Sequence, residues 1–212
     1  MYIKNLYITL PQPEASHAAH IGLEQVPQTL QRVAVSGTTL RTVAAPSAPA
    51  PVATTTLTPP APGQPWPGQG GIYICTLPAE FGLPARHLVV GTNEAEDLTW
   101  GPYGEEAAGA TSQTDGRTNT AALTASGKDH PAAVWASQYT EDDHADYYLP
   151  SRIELLMCYL HAPQVFKTTG WYWSSSQSSR GSAWCQAFEC GDSSANLKGY
   201  ALRARPVRSI QL

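Results

Sequence analysis

Charged side chains are scarce in this sequence of 212 residues: Asp, Glu, Lys and Arg make up 14% of it, well below the quarter usual in soluble domains. Thirteen Lys and Arg stand against seventeen Asp and Glu, a formal net charge of −4. No basic stripe is available to neutralise phosphates, which argues against nucleic-acid binding. Apolar runs fall far short of the roughly 18 residues needed to cross a bilayer, which argues against membrane insertion. Met1 to Leu10 lacks a basic region followed by an apolar stretch and a small-residue cleavage site, so a secretory signal is not expected.

Several chemistries lack their residues. The four cysteines (Cys75, Cys158, Cys185, Cys190) are too few for a disulfide scaffold of this length. On a single strand Cys185 and Cys190 would face opposite sides, roughly 16 Å apart, so buried free thiols are expected. The six histidines (17, 20, 87, 130, 144 and 161) show no His-Glu-x-x-His spacing, and no Cys-x-x-Cys occurs to make a zinc site. Neither a glycine-rich phosphate loop nor a Gly-x-Ser-x-Gly elbow is found. Glu141-Asp142-Asp143-His144-Ala145-Asp146 offers hard oxygen ligands, but a contiguous acidic loop without a glycine reads as solvated. No metal and no cofactor are expected.

Proline and tryptophan are plentiful and unevenly placed. Eleven of the 18 prolines fall in the first 67 residues, and five of the six tryptophans fall after them. Only the later part has the bulk to bury a core. Residues 1–44 read as a β segment that pairs with another chain: 2–10 alternates with Tyr2, Leu6, Ile8 and Leu10 on one side, and Arg32–Val43 has a hairpin turn at Ser36-Gly37. Residues 45–67 hold eight prolines and no charged side chain, which predicts a semi-rigid polyproline-like linker.

From residue 68 onward the pattern is α+β. Strands are expected at Ile72–Cys75 and His87–Val90, short helices at Thr118–Ser126 and from Pro131 to Trp135, and a helix after Ser151 with Glu154 completing a capping box. Trp171–Ser174, Ala183–Cys190 and Ala201–Arg208 read as three further strands of a small antiparallel sheet, wrapped by long connections such as 91–117. The trio Trp171, Trp173 and Trp184 reads as packing. Arg203, Arg205 and Arg208 read as partners for the acidic excess of this part.

Four strings, in this order, carry a resemblance: Tyr148-Leu-Pro-Ser-Arg-Ile-Glu-Leu155, Trp171-Tyr-Trp-Ser-Ser-Ser-Gln177, Ala183-Trp-Cys-Gln-Ala-Phe188 and Leu202-Arg-Ala-Arg-Pro-Val-Arg208. Together with Asp115–Thr120 and His130–Ala133 they resemble C-type-lectin-fold domains related to the Lcl C-terminal domain, as in bacteriophage tail proteins and the variable proteins of diversity-generating retroelements. The resemblance covers residues 68–212 and implies binding by the C-terminal strands and loops, in trimers. The calcium-ligating triplets of sugar-binding C-type lectins are missing, so calcium-dependent binding is not expected. Between Ser174 and Lys198 eight of 25 residues are serine, and small adaptable polar groups beside rigid aromatics suit recognition. The candidate contact surface is Arg180, Ser182, Gln186, Glu189, Asp192, Ser193 and Asn196.

The expected function is that of a phage tail or tail-fibre component located in the virion, not an enzyme. Residues 1–67 would hold other tail proteins, and 68–212 would bind a glycan or protein receptor on the host, as a homo-oligomer and specifically a trimer. One alternative is a purely structural tail protein using the lectin-like domain for protein contacts; another is a bacterial adhesin, disfavoured without an export signal. A third rests on the same fold in formylglycine-generating oxidases, which Arg180–Cys190 resembles in its Cys-x4-Cys spacing and which bind copper(I) through thiolates.

Overall fold

The computed structural model describes residues 57–212. The strand expected at 2–10, the hairpin at 32–43 and the first part of the proline-rich segment lie outside the described residues.

Ser151 opens a helix because its hydroxyl accepts from the Glu154 amide while the Glu154 carboxylate accepts from the Ser151 amide, the reciprocal pairing that a Ser-x-x-Glu spacing allows. The same carboxylate accepts from the Gly116 amide (3.1 Å), the Ser151 hydroxyl and the Tyr148 hydroxyl (each 2.9 Å). One buried side chain therefore joins the N-termini of two helices. These are α1 (Gly116–Ala125), capped by Asp115 at the Thr118 amide, and α3 (Arg152–His161). Between them α2 (Pro131–Gln138) begins on proline, whose missing N–H costs nothing in the first turn. All three match the helices expected from sequence to within a few residues.

Among the described residues eight strands make two sheets. The smaller has the order β1-β2-β8, built from β1 (Ile72–Leu77), β2 (Arg86–Val90) and β8 (Val207–Gln211), all antiparallel. The larger has the order β3-β7-β4-β5-β6, built from β3 (Ala95–Leu98), β4 (Trp171–Gln177), β5 (Ser182–Ala187), β6 (Ser193–Leu197) and β7 (Leu202–Ala204). Its β4–β7 pair is parallel and its other pairs are antiparallel. The domain is thus α+β, with two small sheets and three short helices. Leu155 and Cys158 of α3, Ile74 and Leu88 of the smaller sheet, and Tyr172 and Phe188 close one core between the two sheets. Trp100, Leu123, Ala133, Trp173 and Cys185 close a second core on the opposite face of the larger sheet, under α1 and α2.

Four expectations are corrected. Ala201–Arg208 is two strands rather than one. At Arg205-Pro206 the chain leaves the larger sheet for the smaller, because Pro206 has no N–H for a ladder and the buried Arg205 guanidinium turns inward to the Gly91 carbonyl (2.9 Å) and the Thr92 carbonyl (3.3 Å). The strand expected over Ala183–Cys190 ends at Ala187, where a turn closes with the Ala187 amide donating to the Asp192 carbonyl. Residues 193–197, left between the strands expected at Ala183–Cys190 and Ala201–Arg208, form edge strand β6. Finally, the last part of the segment expected as linker packs on the domain: Pro65 bridges Ile72, and Trp66 is buried against Tyr73, Val89 and Ile210 on the outer face of the smaller sheet.

Candidate functional site

The turn joining β4 to β5 is made by serines. Ser178 and Ser179 amides donate to the Ser182 carbonyl (both 3.0 Å), and the Ser179 hydroxyl meets that of Ser182 at 2.6 Å. Strand β6 returns alongside β5 with Leu197 opposite Ser182 and Asn196 opposite Ala183. The loop after β3 is fastened beside this turn, since the Lys198 amide donates to the Gly181 carbonyl (3.0 Å) and the Trp100 amide to the Lys198 carbonyl (2.9 Å). Arg180 Nε donates to the Gly104 carbonyl (3.1 Å), and Tyr103 lies so close over Gly181 that a Cβ there would sit 2.9 Å from its ring.

Side chains project to solvent from this fastened tip. Tyr103 is 69% exposed, Tyr200 53% and Leu197 42%, and Arg180 is exposed beside them. Beneath lies Lys198, 1% exposed, with Nζ donating to the Glu105 carbonyl and to Gln177 Oε1 (both 2.7 Å) and standing 4.7 Å from the centre of the Trp100 ring. Gln177 Oε1 also accepts from the Ala107 amide (2.8 Å), and Trp100 Nε1 donates to the Ser174 carbonyl (2.8 Å). Burial holds the Lys198 ammonium below the ordinary lysine range. His130 is buried against Trp100, donates from Nδ1 to the Trp100 carbonyl (3.0 Å), and leaves Nε2 without a partner; burial lowers its pKa as well. A phenol, a guanidinium and an exposed leucine held by such a base suit stacking and hydrogen bonding to a surface, with little ordering left to do on contact.

The seven expected contact residues divide. Arg180, Ser182 and Asn196 gather at the tip. Glu189, Asp192 and Ser193 lie at the other end of the β5–β6 hairpin, roughly 16 Å away for the length of β5. Ser193 accepts from Arg152 Nε (3.1 Å), whose guanidinium stacks 3.5 Å over the Trp184 ring. Gln186 is corrected: it is 1% exposed, opposite Tyr172 and Ser193 in the sheet interior, so it cannot touch a ligand. The serine-rich composition is also largely structural. Ser174, Ser175 and Ser176 are buried, and their hydroxyls donate to the carbonyls of Trp184, Pro150 and Ser112.

The other tryptophans and the arginines fall where packing and charge place them. Trp173 is fully buried, whereas Trp171 and Trp184 are half-buried. Arg203 and Arg205 reach Glu94, and Arg208 reaches Asp146 at 2.7 Å, the ion pairs expected of an acidic domain. Cys75, Cys158 and Cys185 are buried free thiols and Cys190 is exposed. Burial pushes the Cys185 thiol up to about 12, away from the thiolate that copper(I) ligation uses. In the acidic loop Asp142 and Asp143 form a left-handed two-residue turn closed by Glu141 and His144. Among the described residues no group of three or more His, Cys, Asp or Glu converges on a metal position, and no helix is long and apolar enough to cross a membrane.

Tyr103, Leu197, Lys198 and Tyr200 were not reached from sequence. Tyr103 and Tyr200 did carry a signal: each is a lone aromatic beside glycine, in Gly101-Pro-Tyr-Gly104 and Gly199-Tyr200, with no periodic apolar partner. Lys198 carried none. No family model matches the chain, and no curated protein matches it.

Proposed function

We propose that this chain is a bacteriophage tail or tail-fibre protein, located in the virion, whose domain from residue 68 onward has a C-type-lectin-like fold and binds a glycan or protein on the host surface. Residues 1–67 hold it to other tail proteins, and several copies, as a homotrimer, combine weak contacts into firm attachment. The observation that carries the reading is the tip: Tyr103, Arg180, Leu197 and Tyr200 exposed together on loops fastened by the buried Lys198. Aromatic residues and arginine at the centre of a contact contribute most of its energy. The motif order across 148–208 and the α+β architecture are compatible with the lectin-like assignment.

The test is adsorption of the labelled full chain to susceptible cells and its competition with infection. Tyr103→Ala and Arg180→Ala are expected to weaken adsorption by about 30-fold each, the effect of a lost hot spot. Absence of any adsorption or competition by the wild type would leave the purely structural tail role in its place.

A further inference from the structure

Among the described residues four non-glycine positions hold a left-handed backbone: Phe81, Asp97, Asp142 and Asp143. Three lie in tight turns, where that backbone is usual: Phe81 before Gly82 in the β1–β2 connection, and the aspartates of the acidic loop. Asp97 alone stands within a strand, at φ +56° in β3. There Ala95 pairs with Ala204 and Leu98 with Leu202, so Glu96 and Asp97 together face Arg203, two residues against one. This is a β-bulge, a device that re-aims side chains. Neighbours in a regular strand point to opposite faces, but the extra residue brings Glu96 and Asp97 to the border of one cleft. Glycine would fit the left-handed position at less cost, and aspartate, one of the few other residues that tolerate it, adds a carboxylate. Arg203 gives its ion pairs to Glu94 and Glu96, which leaves the Asp97 carboxylate exposed and without a partner among the described residues.

The cleft has about 140 Å³ of room and opens to solvent. Trp171 lines it, half-buried, fixed by its pairing opposite Ala187, and its indole N–H has no partner among the described residues. Arg203 also lines it and is held rigidly, with Nε at Glu96 (3.4 Å) and Glu94 (3.6 Å) and Nη1 donating to the Thr169 carbonyl. Gly170 makes room for this, since a Cβ there would sit 2.5 Å from Nη1. Nη2 is left to donate elsewhere. The surrounding charges balance, with Glu94, Glu96 and Asp97 against Lys167, Arg203 and Arg205. A cation would meet Lys167 and Arg203, and an anion would meet Glu96 and Asp97, so the site favours a neutral occupant. Such a ligand needs an apolar face for the indole and hydroxyls that donate to a carboxylate and accept from a guanidinium. A pyranose ring has both.

We propose that this cleft binds one pyranose ring, stacked on Trp171, with neighbouring hydroxyls shared between the Asp97 carboxylate and Arg203 Nη2. It lies at the opposite end of β4 from the tip, roughly 20 Å away for the length of the strand. The proposal is therefore a second site and does not rest on the reading of the tip.

The test titrates the isotopically labelled full chain with the methyl glycosides of glucose, galactose, mannose and N-acetylglucosamine. At least one is expected to shift the indole N–H resonance of Trp171, identified by its loss in Trp171→Phe. A Kd of about 1–10 mM is expected, ordinary for a ligand of about a dozen heavy atoms. Asp97→Gly suits the left-handed backbone, so it is expected to keep Tm within about 2 °C of wild type or raise it, while weakening glycoside binding about 10-fold or more. Tyr103→Ala, at the tip, is expected to leave that binding unchanged. No shift with any of these glycosides, binding unchanged in Asp97→Gly, or binding lost in Tyr103→Ala would overturn the proposal. Glycoside binding as expected together with failed cell adsorption would sink the receptor reading alone.

Discussion

Replacing Lys198 by methionine removes an ammonium while keeping most of the buried stem, and the structure fixes what should follow. Two hydrogen bonds from a charged donor are lost, each worth about 1.5–3 kcal/mol, and a cation–π contact worth about 0.5–2 kcal/mol goes with them. Against this loss stands the return of a buried charge to neutrality, itself several kcal/mol. The depressed pKa of Lys198 shows that burial outweighs what its partners give back. Global stability should therefore change by no more than about 1 kcal/mol, the scale of an ordinary substitution. The local result differs, because the Glu105 carbonyl, one of several points that fasten the 101–106 loop, loses its donor. Amide hydrogen exchange in that loop should speed up about 10- to 100-fold, the equivalent of one such bond, and adsorption to cells should weaken with it. The pH dependence adds a second readout. In the fold Lys198 sheds its proton at lower pH than in the unfolded chain, so between that depressed value and about 10.4 the unfolded state binds more protons and wild-type stability rises with pH. Lys198→Met should lack that rise. Cooperative loss of the whole fold, or unchanged exchange in 101–106, would refute the reasoning.

Other substitutions separate scaffold from surface. Glu189→Ala and Asp192→Ala, at the far end of the β5–β6 hairpin, should leave adsorption within two-fold of wild type while Arg180→Ala weakens it, and all three should keep unfolding free energies from urea titration within about 0.5 kcal/mol of wild type. Ser151→Ala removes the hydroxyl that caps α3 and should cost about 1 kcal/mol in urea unfolding. His130 has a folded pKa depressed by burial, so above about 6.5 both states are neutral, and stability falls as pH drops below that value while the unfolded chain alone takes up the proton. His130→Asn should flatten that acid limb of the Tm profile; an unchanged limb would assign the acid sensitivity to other groups.

Local rules reached the elements that local chemistry decides. Ser151 with Glu154, Pro131 at a helix start and the short apolar runs at 72 and 87 each carry their instruction within four residues, and the structure follows them. What escaped depends on partners far along the chain. Residues 95–98 are half polar and become β3 because β7 pairs with them. Residues 193–197, Ser-Ser-Ala-Asn-Leu, have weak strand preference and are held by β5. The alternation of Leu-Arg-Ala-Arg-Pro-Val-Arg looked continuous because nothing in it shows that Arg205 finds Gly91 and Thr92. Gln186 had the polarity of a contact residue, and only its register opposite Tyr172 put it inside. Phe81 gave no warning, since a left-handed aromatic is visible only in the backbone.

The passage of the chain from β7 to β8 at Arg205-Pro206 has a consequence in time. β3 has only β7 as a neighbour in its sheet, and β2 reaches β8 only when residues 207–211 exist. A ribosome that has made everything up to residue 201 therefore holds two unfinished sheets, with β3 unattached and the Tyr148–Val207 bridge unmade. Residues 202–211 close both at once, joining segments more than a hundred positions apart. Such distant closures are slow, so this domain should acquire its native structure only after synthesis has passed residue 211, in one late event rather than strand by strand.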